Sequence, residues 1–83
     1  MIKLIVLTNN QILISKIEEV GADIGEPDCK LIDPYLVNEK DKTISPWLFE
    51  YSEQNTYMIN SDKILTLSDP GTEFLKKYQG VIE

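Results

Sequence analysis

Ile2-Lys3-Leu4-Ile5-Val6-Leu7-Thr8-Asn9-Asn10-Gln11-Ile12-Leu13-Ile14-Ser15-Lys16-Ile17 decides the class of this fold. Two runs rich in leucine and β-branched residues, 2–8 and 12–20, flank Asn9-Asn10-Gln11. Asparagine tolerates the positive φ of a tight connection, so the runs read as an antiparallel hairpin. The first run sets Ile2, Leu4 and Val6 on one face and Ile5 and Leu7 on the other. A strand with one face in water alternates apolar with polar, so both faces of this one are expected to be covered. The second run carries Ile12 and Ile14 on one face and Leu13 and Ile17 on the other, then fades into Glu18-Glu19.

Downstream, residues 21–28 form a loop by their glycine, proline and aspartate content. A third strand fits Cys29 to Val37, where Pro34 removes a ladder donor and implies an edge or a bulge. Asn38 to Lys42 is a charged turn, and Thr43 to Tyr51 follows with Trp47, Phe49 and Tyr51 at the spacing of one strand face. After a break at 52–55 come two short strands, Thr56 to Asn60 and Lys63 to Ser68, joined abruptly by Ser61-Asp62. The period then changes to helical over about 70–80. Asp69 suits the N-cap, Pro70 the first turn and Gly80 the residue past the end, with Phe74, Leu75, Tyr78 and Val81 as the apolar stripe. The whole reads as one domain over residues 1–83, with a barrel over about 2–68 that the helix caps.

Composition narrows the function. A chain of 83 residues buries only about 60% of its unfolded surface, so its core is marginal without a staple. Cys29 is the single cysteine and histidine is absent, which leaves neither an internal disulfide nor an ordinary zinc site. Oligomerisation is the remaining staple. Catalysis is not expected, because the chain offers neither histidine nor a thiol dyad. Cys29, among Leu31 and Ile32, reads as a buried filler. Glu18, Glu19, Asp23, Glu26, Asp28 and Asp33 match no calcium-loop spacing and read as a solvated face, and the four glycines are too scattered for a phosphate loop, so no cofactor is expected. No apolar stretch approaches the roughly 20 residues of a membrane span. No signal peptide is evident at the N-terminus, so a cytoplasmic setting is expected. A net charge of −6 opposes nonspecific nucleic-acid binding.

The order of hairpin, bent third strand, charged loop and two short strands on a tight turn resembles the Sm-like small barrel, a five-stranded SH3-like fold. Met58-Ile59-Asn60-Ser61-Asp62-Lys63-Ile64 is similar to the second Sm motif, with Asn60-Ser61 standing where that motif has Arg-Gly. Residues 2–11 resemble the start of the first motif, and Leu31-Ile32-Asp33 its end. Asp28 and Pro27 fall at the asparagine and methionine of the family's RNA-contacting segment before the third strand. The resemblance implies an all-β barrel, here with a C-terminal helix, and a homo-oligomeric ring of five to seven subunits. The ring would close where the fourth strand of one subunit meets the fifth of the next, through Thr56, Met58, Asn60, Leu65 and Leu67. It also implies single-stranded RNA as a ligand, through Asp28, Asn60, Ser61 and Lys63. The acidic balance keeps a second expectation open: a ring that assembles or binds proteins without RNA.

The aromatic series Trp47, Phe49, Tyr51 and Tyr57 is either a stacking platform for bases or part of the core or an interface. With only eight basic residues against fourteen acidic ones, few phosphates can be neutralised. RNA affinity is therefore expected to come from stacking and base-edge hydrogen bonds. If RNA binds, an oligonucleotide titration at two salt concentrations should give a shallow slope, and Asn60→Ala should weaken RNA binding without changing the particle mass.

Overall fold

The computed structural model describes residues 1–82. The fold is mainly β. Six strands are present among the described residues: β1 (Ile2–Leu7), β2 (Ile12–Glu19), β3 (Cys29–Asn38), β4 (Thr43–Pro46), β5 (Thr56–Ile59) and β6 (Ile64–Ser68). They precede one helix, α1 (Thr72–Ile82). All pairings are antiparallel, in the order β4-β3-β2-β1-β6, with β5 pairing β3 off that path. The β1–β2 connection forms as its asparagines suggest, with Asn10 at φ 70 and its N–H donating to Leu7 O at 2.9 Å.

Strand β3 organises the sheet. Its first half pairs with β5, Cys29 opposite Ile59 and Ile32 opposite Thr56, while its second half pairs with β4, Tyr35 opposite Pro46 and Asn38 opposite Thr43. The hand-over falls at a bulge. Ile14 lies opposite Tyr35 and Lys16 opposite Ile32, so Asp33 and Pro34 together face the single residue Ser15. Asp33 takes the left-handed conformation (φ 52) that glycine often fills in such bulges. Pro34 has no N–H to give, which is how a proline is accommodated here.

That proline also explains where the chain departs from expectation. Trp47 N–H donates to Pro34 O at 2.9 Å, but Pro34 returns no donor, so the edge strand leaves the ladder. It rejoins at Asn55, whose carbonyl accepts Asp33 N–H at 2.7 Å. Residues 47–51 are a turn, not the strand anticipated from Trp47, Phe49 and Tyr51. Leu48 has φ 61 and its carbonyl accepts from Tyr51 and Ser52. The break expected at 52–55 thus begins earlier, at Trp47, and the strand along β3 is interrupted by residues 47–55, giving six strands where the resemblance implies five.

Two apolar layers flank the sheet. Inside the curve, Ile5, Leu7, Leu13 and Leu31 are buried together, with Ile17, Leu36, Trp47, Ile59 and Ile64 packed around them. Each buried Leu or Ile of this kind contributes about 1.5–3 kcal/mol. The outer face carries the cross-strand pairs Leu4–Ile14 and Ile14–Tyr35. Helix α1 covers it. Tyr78 is fully buried and meets Tyr35 edge to face at 5.8 Å, and Phe74 sits near Leu4, Ile12 and Val37. The second face of β1 is therefore covered by the chain's own helix, and that strand alone does not require a partner subunit.

The Tyr78 hydroxyl accepts from Lys16 N–H at 3.2 Å and reaches the carbonyls of Asp33 at 2.9 Å and Ile32 at 3.2 Å. It thereby satisfies backbone groups that the bulge leaves out of the ladder. The helix boundaries are shifted from those expected. Asp69 pairs with Lys3 and is not the cap, and Leu75 N–H donates to Gly71 O at 2.9 Å at the true start. Gly80 lies within the helix and Val81 is turned toward solvent, because Tyr78 anchors this segment and holds its last turn in place.

Burial pushes the Tyr78 phenol up to about 12 from 10.0. A raised phenol pKa in the folded state stabilises the fold fully below the unfolded value and is lost as pH rises through the folded one. Urea unfolding should show wild-type stability falling more steeply than that of Tyr78→Phe between those pH values. At neutral pH the variant should be weaker by about 1–3 kcal/mol, since the Lys16 N–H loses its partner.

Candidate binding surface at the closing turn

Between β5 and β6 the chain reverses in a single 3-10 turn, Ser61–Lys63, with Asn60 as its cap. Asn60 is extended, and its side-chain oxygen accepts the Asp62 N–H at 3.0 Å, the cap arrangement asparagine favours. Lys63 N–H returns to Asn60 O at 3.0 Å, and Thr8 N–H donates to Lys63 O at 2.9 Å, tying the turn to the end of β1.

Asp28, just before β3, reaches the same turn. Its carboxylate accepts both the Ser61 N–H and the Ser61 hydroxyl, each at 2.7 Å. These two bonds, the backbone one foremost, hold the Asp28 carboxyl below the usual carboxylate value. Next to it Cys29 is buried, and burial together with the Asp28 charge pushes its thiol up. It fills space as expected of a buried cysteine.

Of the residues anticipated for RNA contact, Asp28, Asn60 and Ser61 come together, while Lys63 presents an ammonium that makes no ion pair among the described residues. Much of their hydrogen-bonding capacity is used internally. The Asn60 carbonyl oxygen caps the turn, and Ser61 and Asp28 satisfy each other. No group of three or more His, Cys, Asp or Glu able to hold a metal occurs among the described residues.

Apart from Asn60, the residues anticipated for subunit contact lie on two strands with free edges. Strand β5 pairs only with β3 and strand β6 only with β1 among the described residues. Met58 is 51% exposed, Leu65 64% and Leu67 49%, while Thr56 is half-buried and Asn60 is occupied as a cap. Beside β6 runs a groove of about 540 Å3, with Met1, Ile17, Ile64, Leu65 and Leu67 as its apolar lining and Lys3 and Glu19 among its polar residues.

The aromatic series does not form a flat platform. Trp47 packs on the inner core and meets Tyr57 edge to face, while Phe49 (59% exposed) and Tyr51 (83%) stand on the turn. The importance of Tyr78 and Asp33 was not visible in their spacing. The one sequence signal was Pro34, which marked the bulge that both serve.

Over residues 1–83 the sequence matches the Family of unknown function (DUF6561). The chain belongs to this family. No curated protein matches it. No helix among the described residues of this DUF6561 member is long and apolar enough to cross a membrane.

Asp28 bears a testable signature. A depressed folded-state pKa supplies stability above the unfolded value, and this is lost as pH falls through the folded one. Acid titration followed by circular dichroism should show Asp28→Asn less pH-sensitive below the usual carboxylate range than the wild type. An unchanged acid limb would mean that the Asp28–Ser61 pair does not couple to folding.

Proposed function

We propose that this protein is a self-assembling, non-catalytic module of the Sm-like kind, whose copies join head to tail by pairing the β5 edge of one with the β6 edge of the next. One observation carries the reading: both ends of the sheet are unpaired, and both present exposed apolar side chains, Met58 on one and Leu65 and Leu67 on the other. Open apolar edges invite strand addition, and proteins normally blunt them with charge, proline or a covering element. Met58, Leu65 and Leu67 carry no such charge or proline. A β5-to-β6 contact joins two different surfaces, and repeated by a rotation that closes it generates a ring. Such pairing would also bring the apolar groove beside β6 against a neighbour. A reducing, cytoplasmic setting belongs to the same proposal, since Cys29 is free and buried.

Single-stranded RNA at the Asp28–Asn60–Ser61 turn is the second reading, favoured by the convergence of those residues from distant parts of the chain. Against it stand an ionised carboxylate at the centre of the cluster and the net charge of −6. The ring without RNA is therefore preferred.

Leu65→Lys and Met58→Lys place charges at exposed positions and should leave the fold intact. Sedimentation velocity is expected to show the wild type as an assembly and each variant as a folded species of about 9.5 kDa. Variants that assemble like the wild type would place the contact elsewhere. Saturable oligonucleotide binding by the wild type would promote the RNA reading.

A further inference from the structure

Where residues 47–55 leave and rejoin β3, the sheet edge holds a small cleft of about 100 Å3. Its walls are Tyr35, Trp47, Phe49 and Tyr57, and Asp33 is the one acidic residue lining it. Lysine is absent from the lining among the described residues. The cleft has room for the volume of roughly three waters, which suits a compact head group and is too small for a nucleobase with its sugar.

The walls are held in place. Trp47 and Tyr57 stand at 71° with centroids 5.8 Å apart, so their rings make a corner. The polar tips of both are occupied: Trp47 Nε1 donates to Gln11 Oε1 at 3.4 Å, and the Tyr57 hydroxyl donates to Gln54 O at 2.8 Å. Pro46 immediately precedes Trp47 and also lines the cleft. Asp33 is fixed on both sides, its N–H to Asn55 O at 2.7 Å and its C=O from the Tyr78 hydroxyl at 2.9 Å. This double hold maintains its left-handed backbone (φ 52), and bulges of this type redirect a side chain out of the regular alternation.

Aromatic faces carry negative quadrupole potential and attract cations whose charge is spread and weakly hydrated. Asp33, the acidic residue of the lining, adds to that field, as does the net charge of −6. A primary ammonium is compact and strongly hydrated, and is better served by water. Methylation removes donors, enlarges the head and spreads the charge, which suits aromatic walls. We propose that this cleft binds a quaternary or otherwise methylated ammonium group. The group is borne either by a small molecule of the choline type or by a methylated lysine in a peptide, and the proposal does not depend on ring formation.

Trp47 is the only tryptophan, so its fluorescence reports the site directly. Titration with tetramethylammonium or choline should give a saturable change, whereas 3,3-dimethylbutanol, the neutral isostere of choline, should give none. Phe49→Ala alters an exposed side chain, and Asp33→Asn keeps a residue that tolerates the left-handed conformation. Both variants should melt as cooperatively as the wild type while losing about tenfold in affinity, the scale of a desolvated cation–π contact. Tighter binding of a trimethyl-lysine peptide than of tetramethylammonium would identify the peptide source, and equal binding the small-molecule source. The proposal is overturned by a linear, non-saturating response, by equal binding of the neutral isostere or of an unmethylated lysine peptide, or by folded variants that bind like the wild type.

Discussion

The hydrogen bonds of the Tyr78 hydroxyl to the β2–β3 bulge are the interaction on which the rest of this structure depends. Strand β3 serves two different partners along one edge, and the change of partner requires the ladder to break at Asp33 and Pro34. A break in a ladder leaves backbone donors and acceptors that must be satisfied when buried. Ser15, itself fully buried, supplies part of the answer by donating its one hydroxyl proton to the Lys16 carbonyl at 2.7 Å, with the Ile32 carbonyl 3.1 Å away. Tyr78 supplies the rest from the helix. One residue thus fixes the bend of β3, docks α1 and holds Asp33 in a conformation it would not otherwise keep.

Docking the helix changes how this small chain solves the problem of its core. Its two-sided β1 would leave an apolar face in water if the sheet stood alone. Phe74 and Tyr78 cover that face from within the chain, with Tyr35 as the aromatic contact below. What remains open among the described residues are chiefly sheet edges, β4 and β5 along β3 and β6 beside β1, together with the groove beside β6. In the proposed assembly, association would therefore rest on unpaired backbone and on Met58, Leu65 and Leu67, and not on the first strand. Turn chemistry supports the same division. The Asp28–Ser61 pair and the Asn60 cap stiffen the reversal between the two edges, which fixes their relative direction.

Much of this architecture was legible because it is decided locally. The Asn9-Asn10 turn, the bulge at Pro34 and the abrupt reversal at Ser61-Asp62 each follow from what a residue's own backbone permits. Trp47, Phe49 and Tyr51 misled because a spacing of two fits a strand face, and Leu48 gives no sign of the left-handed φ it adopts. The helix ends were displaced for a tertiary reason. Asp69 prefers the ammonium of Lys3 to a capping role, and a buried Tyr78 carries the helix through Gly80 despite that residue's poor propensity. In the candidate site, the family resemblance pointed to Asp28 and Ser61, but their mutual hydrogen bonding across the fold was beyond any local signal. The cleft around Asp33 lay further out of reach, since its walls meet only because the 47–55 excursion closes at its neck.

Amide hydrogen exchange across a dilution series tests strand addition most directly, because that pairing leaves its mark on the backbone itself. Outward-facing amides of β5 and β6, which have no partner among the described residues, should be protected at high concentration and lose protection on dilution, while β1 and β2 stay protected throughout. Exchange of those edge amides at solvent-like rates at every concentration, with β1 and β2 still protected, would contradict that pairing.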